Sequence, residues 1–191
     1  SLTPQQVVDW HNGQGVYSDH AAFNSSYAAV YWPWLQIYDA VNGVKVWCPP
    51  SGFMAGVYAY SDNTTEVWFA PAGLTRGHLT QPIKAEYSPS LGERDLLYGN
   101  GNAVNPIATF KQDGINVWGQ RTLQRLPTAL DRINVRRTLL YLEKVLSTAV
   151  RGLLFEPNDA ATWTRLRRLV TPTLESLKTR RGLQDFKVVC D

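Results

Sequence analysis

Only two cysteines occur in the 191 residues, Cys48 and Cys190. Neither belongs to a C-x-x-C, and no His/Cys cluster surrounds them, which argues against a disulfide framework and a structural zinc site. Two buried free thiols in a reducing compartment are the expectation. No apolar run approaches the roughly 18 residues of a membrane span. No signal-peptide pattern is present, and a start at Ser1 without methionine is what a fragment or a processed product would show. The histidines, His11, His20 and His78, have no metal-ligand spacing, and no G-x-S-x-G elbow offers a serine nucleophile. The GNGNAV run (99–104) departs from G-x-G-x-x-G, lacks a clear preceding strand and leads into proline, so it reads as a loop. No catalytic residue, cofactor or metal is assigned.

What the chain does contain is a globular composition, 44% hydrophobic and 18% charged, with seven tryptophans and nine tyrosines for core or interface packing. Thr3 and Pro4 open a short helix over 3–11, and residues 12–26 read as a loop. The segment YAAVYWPWLQIYD (27–39) is apolar nearly throughout, and Pro33 places an edge, a bulge or a break in it. Asn42-Gly43 predicts a tight turn into a strand VKVWC (44–48). A helix follows with Ser51 as its cap and Met54, Val57 and Tyr58 inward. Ser90 caps a helix of about two turns over SLGERDLLY, and IATF (107–110) and INVWG (115–119) read as strands. These elements interleave, so the class is α/β (α+β): one mixed β-sheet flanked by helices, with two long helices in the C-terminal third. The organisation expected is a linker and short helix over 1–26 leading into one domain over 27–191.

Charge is uneven. Residues 1–120 carry five Lys/Arg against nine Asp/Glu, a net of −4, and residues 121–191 carry fourteen against seven, a net of +7. In the basic third, Val135, Leu139, Leu142, Leu146, Ala149 and Leu153 form one helix stripe, with Asn134 or Asp131 as cap. Arg137, Lys144 and Arg151 fall opposite that stripe. A second helix carries Trp163, Leu166, Val170, Leu174 and Leu177, with Pro172 expected to kink or restart it. Arg180 and Arg181 suit its C-terminal end and Gly182 its C′ position. DFKVVC then reads as a strand. Such basic faces are commonly only solvated surface. If they bind, an acidic protein is favoured over nucleic acid, because no aromatics interleave with Arg165, Arg167 and Arg168.

Between the two helices lies RGLLFEPNDAATW (151–163). Glu156 and Asp159 could in principle form an acid/base pair. Helix punctuation explains them at lower cost: Pro157 stops one helix, and Asn158 or Asp159 caps the next.

Seven segments in order resemble one family. They are Tyr31-Trp32-Pro33-Trp34, PPSGFMAGVYAYSD (49–62), WFAPAG (68–73), GINVWGQRT (114–122), INVRR (133–137), FEPNDAATW (155–163) and GLQDFKVVCD (182–191). Together they are similar to the conserved C-terminal region of contractile phage tail sheath proteins, especially those of T4-like myoviruses. Two departures are Gly73, where many relatives carry Asn, and a chain that stops at Asp191 without the arms and outer domains of the family. The resemblance implies a structural, non-enzymatic subunit of the virion tail, assembled in the host cytoplasm. Its implied partners are other sheath subunits in stacked hexameric rings, the tail tube, and the baseplate and tail terminator at the ends, with no membrane. The sheath of a phage-like bacteriocin or injection system is a related reading, and a basic nucleic-acid module an unrelated one. Under the sheath reading, Arg137, Lys144, Arg151, Arg165, Arg168, Arg180 and Arg181 would face the tube or a neighbouring subunit. Phe186, Val188 and Cys190 would take part in strand exchange.

Overall fold

The computed structural model describes residues 2–99 and 101–190. It divides into two compact units, residues 1–136 and 137–191, with the boundary inside a helix. In chain order the elements are α1 (Pro4–Asn12), β1 (Val30–Trp32), β2 (Leu35–Asp39), β3 (Val44–Cys48), α2 (Ser51–Thr64), α3 (Gly73–Arg76), β4 (His78–Leu79), β5 (Lys84–Ala85), α4 (Leu91–Tyr98), β6 (Val104–Phe110), β7 (Gly114–Val117), α5 (Ile133–Val150) and α6 (Ala160–Thr179). Mixed sheet and flanking helices are as the sequence predicts, but two sheets replace the expected one.

Pro33 is the point of division. Having no N–H to give to a ladder, it ends β1 at Trp32, and β2 begins at Leu35 in a different sheet. The first sheet has the order β1-β6-β7-β4, with β1 parallel to β6 and the other pairs antiparallel. The second is antiparallel, in the order β3-β2-β5. Its hairpin closes over the predicted Asn42-Gly43 turn, where Asp39 accepts the N–H groups of Val41 and Asn42 and Gly43 adopts φ +68°. Strand β6 starts at Val104, earlier than predicted, and runs through Pro106. Proline made that start illegible in the sequence, but the Pro106 carbonyl still accepts a hydrogen bond from the Trp118 N–H.

Buried on both sides, β6 organises the core of the first unit. Val104 and Ile107 differ in parity and so point to opposite faces. On one face Val104 meets Val7 and Val8 of α1, Leu97 of α4 and Trp32. On the other, Ile107 meets Met54 and Val57 of α2 with Leu35, Leu79, Ile115 and Val117. Thr3 and Ser90 are caps as the sequence indicates, and each is completed into a capping box, by Gln6 and Glu93. Ser51 is not a cap. It is the first helical residue of α2, whose N-cap position is Pro50.

Beside Val104 lies Asn105, fully buried on β6 and of the same parity as Ile107. Its side-chain N–H₂ donates to the carbonyls of Val30 on β1 (3.0 Å) and Arg121 (2.8 Å). Its oxygen accepts the Arg121 N–H at 2.6 Å. One amide thus joins β1, β6 and the segment after β7, and Arg121 in turn bridges to Arg132 at the start of α5. The fit requires Gly119, because a Cβ there would sit 2.8 Å from the Asn105 oxygen and 2.9 Å from its Cα.

A second buried polar group is His11, in the last turn of α1. Asn12 donates its N–H₂ to Asn102, so its oxygen faces His11 Nδ1 at 3.2 Å as an acceptor. That leaves the proton on Nδ1 and Nε2 bare, buried and without a partner among the described residues. Burial pushes the imidazole below its ordinary value, the Asn12 hydrogen bond partly opposes this, and the nearby Arg125 cation lowers it further.

The two long helices appear, with corrections, α5 beginning in the first unit and α6 lying in the second. On α5 only Leu142 of the predicted stripe is fully buried, while Leu139 is exposed and Thr138 is buried instead. Asn134 does not cap α5: it lies inside the helix and donates to the Trp68 carbonyl, while Asp131 precedes the helix in a 3₁₀ turn and pairs with Arg132. Helix α6 buries Val170, Leu174 and Leu177 and runs unbroken through Pro172. Its end is a Schellman closure, with Arg181 N–H on the Lys178 carbonyl and Gly182 N–H on that of Leu177. The left-handed residue is Arg181 (φ +67°), not Gly182. Residues 186–190 form no strand, since no ladder partner exists among the described residues. Both cysteines are free, as expected, but only half-buried.

Two outcomes follow from these buried groups. Asn105→Ala strands three buried backbone groups and is expected to cost about 2–5 kcal/mol in urea unfolding; a loss below about 1 kcal/mol would show that the amide is not structural. The folded state holds fewer protons on His11 than the unfolded state does, so stability falls as pH drops through the unfolded histidine value of about 6.5 toward the lower folded value. His11→Gln should flatten the change in urea midpoint between about pH 7.5 and pH 5, and an undiminished slope would place the titration elsewhere.

Candidate interaction surface

The stretch from 151 to 163 is punctuation, built differently from expectation. Helix α5 ends at Val150, well before Pro157, and tightens into a 3₁₀ turn over Arg151–Leu153. Phe155 then takes a left-handed conformation, φ 71°, with its ring wholly exposed. Glu156 pairs with Arg165 at 3.4 Å. Asp159 is the N-cap of α6 and accepts the Thr162 N–H at 2.8 Å. That hydrogen bond holds the Asp159 carboxyl below the usual carboxylate range. Asn158 is not a backbone cap: its oxygen accepts the indole N–H of Trp163 at 2.7 Å. Each carboxylate is therefore engaged in holding the turn.

The basic residues are placed as follows. Lys144 is exposed on α5, Arg151 is exposed in the 3₁₀ turn, and Arg137 is half-buried. Arg165 and Arg168, three apart on α6, are exposed and share a side of the helix. Arg180 and Arg181 are exposed at its end. Arg167 points elsewhere and donates to the Cys190 carbonyl at 3.1 Å. Lys178 pairs with Asp185 at 2.9 Å. Those two contacts fasten the extended tail to α6, and sequence spacing carried no signal for either. Along the tail Phe186, Val188 and Cys190 are half-buried while Lys187 and Val189 are exposed, the alternation of a strand without its sheet.

Among the described residues no group of three or more His, Cys, Asp or Glu could hold a metal, and no helix is long and apolar enough to cross a membrane. A groove of about 520 Å³ beside α2 and β4 is lined by Phe53, Val57, Tyr60, Leu74, Leu79 and His78, among others, with no carboxylate, lysine, arginine or cysteine in its lining.

Comparison with known proteins assigns this architecture to a class. Residues 3–123 match the phage tail sheath protein central domain and residues 127–191 the phage tail sheath C-terminal domain. The chain belongs to the phage tail sheath family. It is 34% identical over 187 residues to the tail sheath protein of Enterobacteria phage T4, covering 97% of this chain and 28% of that protein. The tail sheath protein of Vibrio phage KVP40 is also 34% identical, over 184 residues, covering 96% of this chain and 27% of that protein. The chain thus spans just over a quarter of the length of these relatives. Among solved structures, an extracellular contractile injection system sheath (PVC) in the contracted state superposes with a TM-score of 0.81 at 31% identity, over 98% of this chain and 48% of that one. The contracted helical sheath of the anti-feeding prophage gives 0.72 at 27% identity, over 91% and 45%.

If Asp159 is a cap, Asp159→Ala should lower the melting temperature by about 2–4 °C at neutral pH. The carboxylate stabilises above its unfolded titration range, and that contribution is lost as pH falls through its lowered folded value. The difference between variant and parent should shrink as pH falls through that range in circular-dichroism melts; a gap that does not change with pH would show that the charge of the Asp159 carboxylate contributes nothing to the cap.

Proposed function

We propose that this chain is the inner, conserved part of a contractile tail sheath subunit, which surrounds a tail tube and drives it through a host envelope when the sheath shortens. One observation carries the reading: a single chain spans both sheath domains and shares its fold with sheaths in the contracted state. The subunit is structural and catalyses nothing. The work comes from a switch between two packings of the same subunits, a long metastable one and a shorter stable one.

The partners are further sheath subunits in stacked hexameric rings, the tube inside them, and the baseplate and terminator at the ends. The assembly takes place in the host cytoplasm, and the product sits in the virion tail. The exposed basic residues Lys144, Arg151, Arg165, Arg168, Arg180 and Arg181, with Arg137, form the face toward an acidic tube or neighbour. Exposed ion pairs contribute about 0–1 kcal/mol each, so such a face holds through repetition and still lets go. The tail at Phe186, Val188 and Cys190 exchanges strands with a neighbouring subunit, supplying or receiving the ladder it lacks among the described residues. The match to an injection-system sheath favours one related reading, in which the same machine works outside a phage.

Arg165→Glu with Arg168→Glu in the full-length protein is expected to shorten or abolish sheaths on tubes in electron micrographs. Normal, full-length sheaths would move the tube-facing surface elsewhere. Failure of the unmodified full-length protein to form ordered polymers under any condition would reject the sheath reading itself.

A further inference from the structure

The first unit holds a cluster of three arginines with, among the described residues, a single ion-paired carboxylate. Arg121 and Arg132 are opposed in an isolated antiparallel bridge, which puts their side chains on one face. Both guanidinium groups lie over the ring of Tyr98, at 4.9 and 5.9 Å from its centroid. Arg132 also donates to the Tyr98 hydroxyl at 2.7 Å. One helical turn further, Arg136 lies 4.2 Å over the Tyr27 ring and donates to the Ser26 hydroxyl. Against these three cations stands Asp131, 3.2 Å from Arg132.

Like charges opposed across a bridge repel, and partly buried cations are normally paired. Here the Nε groups of Arg121 and Arg136 are both buried with no acceptor among the described residues. Stacking on a tyrosine uses the face of a guanidinium. Its N–H donors lie in the plane and leave at the edges, in a fork that matches two oxygens of one anion. The cluster remains accessible, with the Arg132 side chain 38% exposed and Tyr27 70% exposed.

We propose that Arg121, Arg132 and Arg136 form an oxyanion site, built on Tyr98 and Tyr27, that takes a carboxylate of a neighbouring protein or a free phosphate. The aromatic rings hold the guanidinium groups in place, and the anion supplies opposing charge and relieves their repulsion. The site lies outside the α5–α6 turn and the tail, and it stands whether or not the sheath reading does.

The test uses the chain itself with two probes, inorganic phosphate and a tetraglutamate peptide, against sodium chloride at equal ionic strength. A probe at ten times its dissociation constant should raise the melting temperature by about 3–6 °C beyond chloride. Arg121→Gln should weaken that probe at least tenfold while remaining folded in chloride. Arg136→Gln serves as the second variant if Arg121→Gln does not fold. A response to tetraglutamate, with or without one to phosphate, identifies a protein carboxylate as the ligand, and a response to phosphate alone identifies the free anion. The proposal is overturned if neither probe acts beyond chloride, or if a folded Gln variant keeps the parent's affinity.

Discussion

The first unit depends on the amide of Asn105. A parallel strand, a central strand and a returning loop meet at one point. A buried carbonyl or N–H without a partner is costly, and this side chain supplies two donors and an acceptor in the geometry of a missing strand. A leucine of similar volume would fill the space and satisfy none of the three groups. Gly119 gives way so that the amide can sit there. Once Arg121 is fixed, its bridge to Arg132 fixes where α5 starts, and it also creates the crowding of arginines over Tyr98.

The same unit shows how a chain can cover both faces of a strand within about a hundred residues. Opposite parity sends Val104 to α1 and α4 and Ile107 to α2. Pro33 lets the chain leave one sheet and enter the next within two residues. The outcome is a scaffold packed on both faces of its central strand. The second unit instead carries exposed arginines and a tail tied down by two polar contacts at Arg167 and Lys178.

The turn between α5 and α6 illustrates rigidity without a core. Glu156 to Arg165, Asn158 to Trp163 and Asp159 to Thr162 each lock one bond of a fully solvated segment. The carboxylates that first invite an acid/base reading are consumed in that role. Phe155 and Arg181 accept left-handed backbone, normally unfavourable for side chains with a Cβ, where the chain must turn sharply next to a helix.

Local chemistry was legible in the sequence alone. Caps at Thr3, Ser90 and Asp159, the turn at Asn42-Gly43, the break at Pro33 and the buried face of α6 all follow from interactions among residues close in the chain. The ordered motifs from Tyr31 to Cys190 also carried the family. Other features required the third dimension. Pro106 hid the start of β6, Leu139 turned outward where its spacing placed it inward, and Phe186–Cys190 stayed unpaired despite strand-forming residues. A strand exists only where a partner offers a ladder, and a helical stripe is buried only where another element covers it. The basic residues of α5 and α6 could be counted from the sequence, yet the crowding of Arg121, Arg132 and Arg136 could not. Arg121 and Arg132 meet over Tyr98 because a bridge between distant segments holds them there, and Arg136 stacks on Tyr27; only tertiary structure brings such groups together.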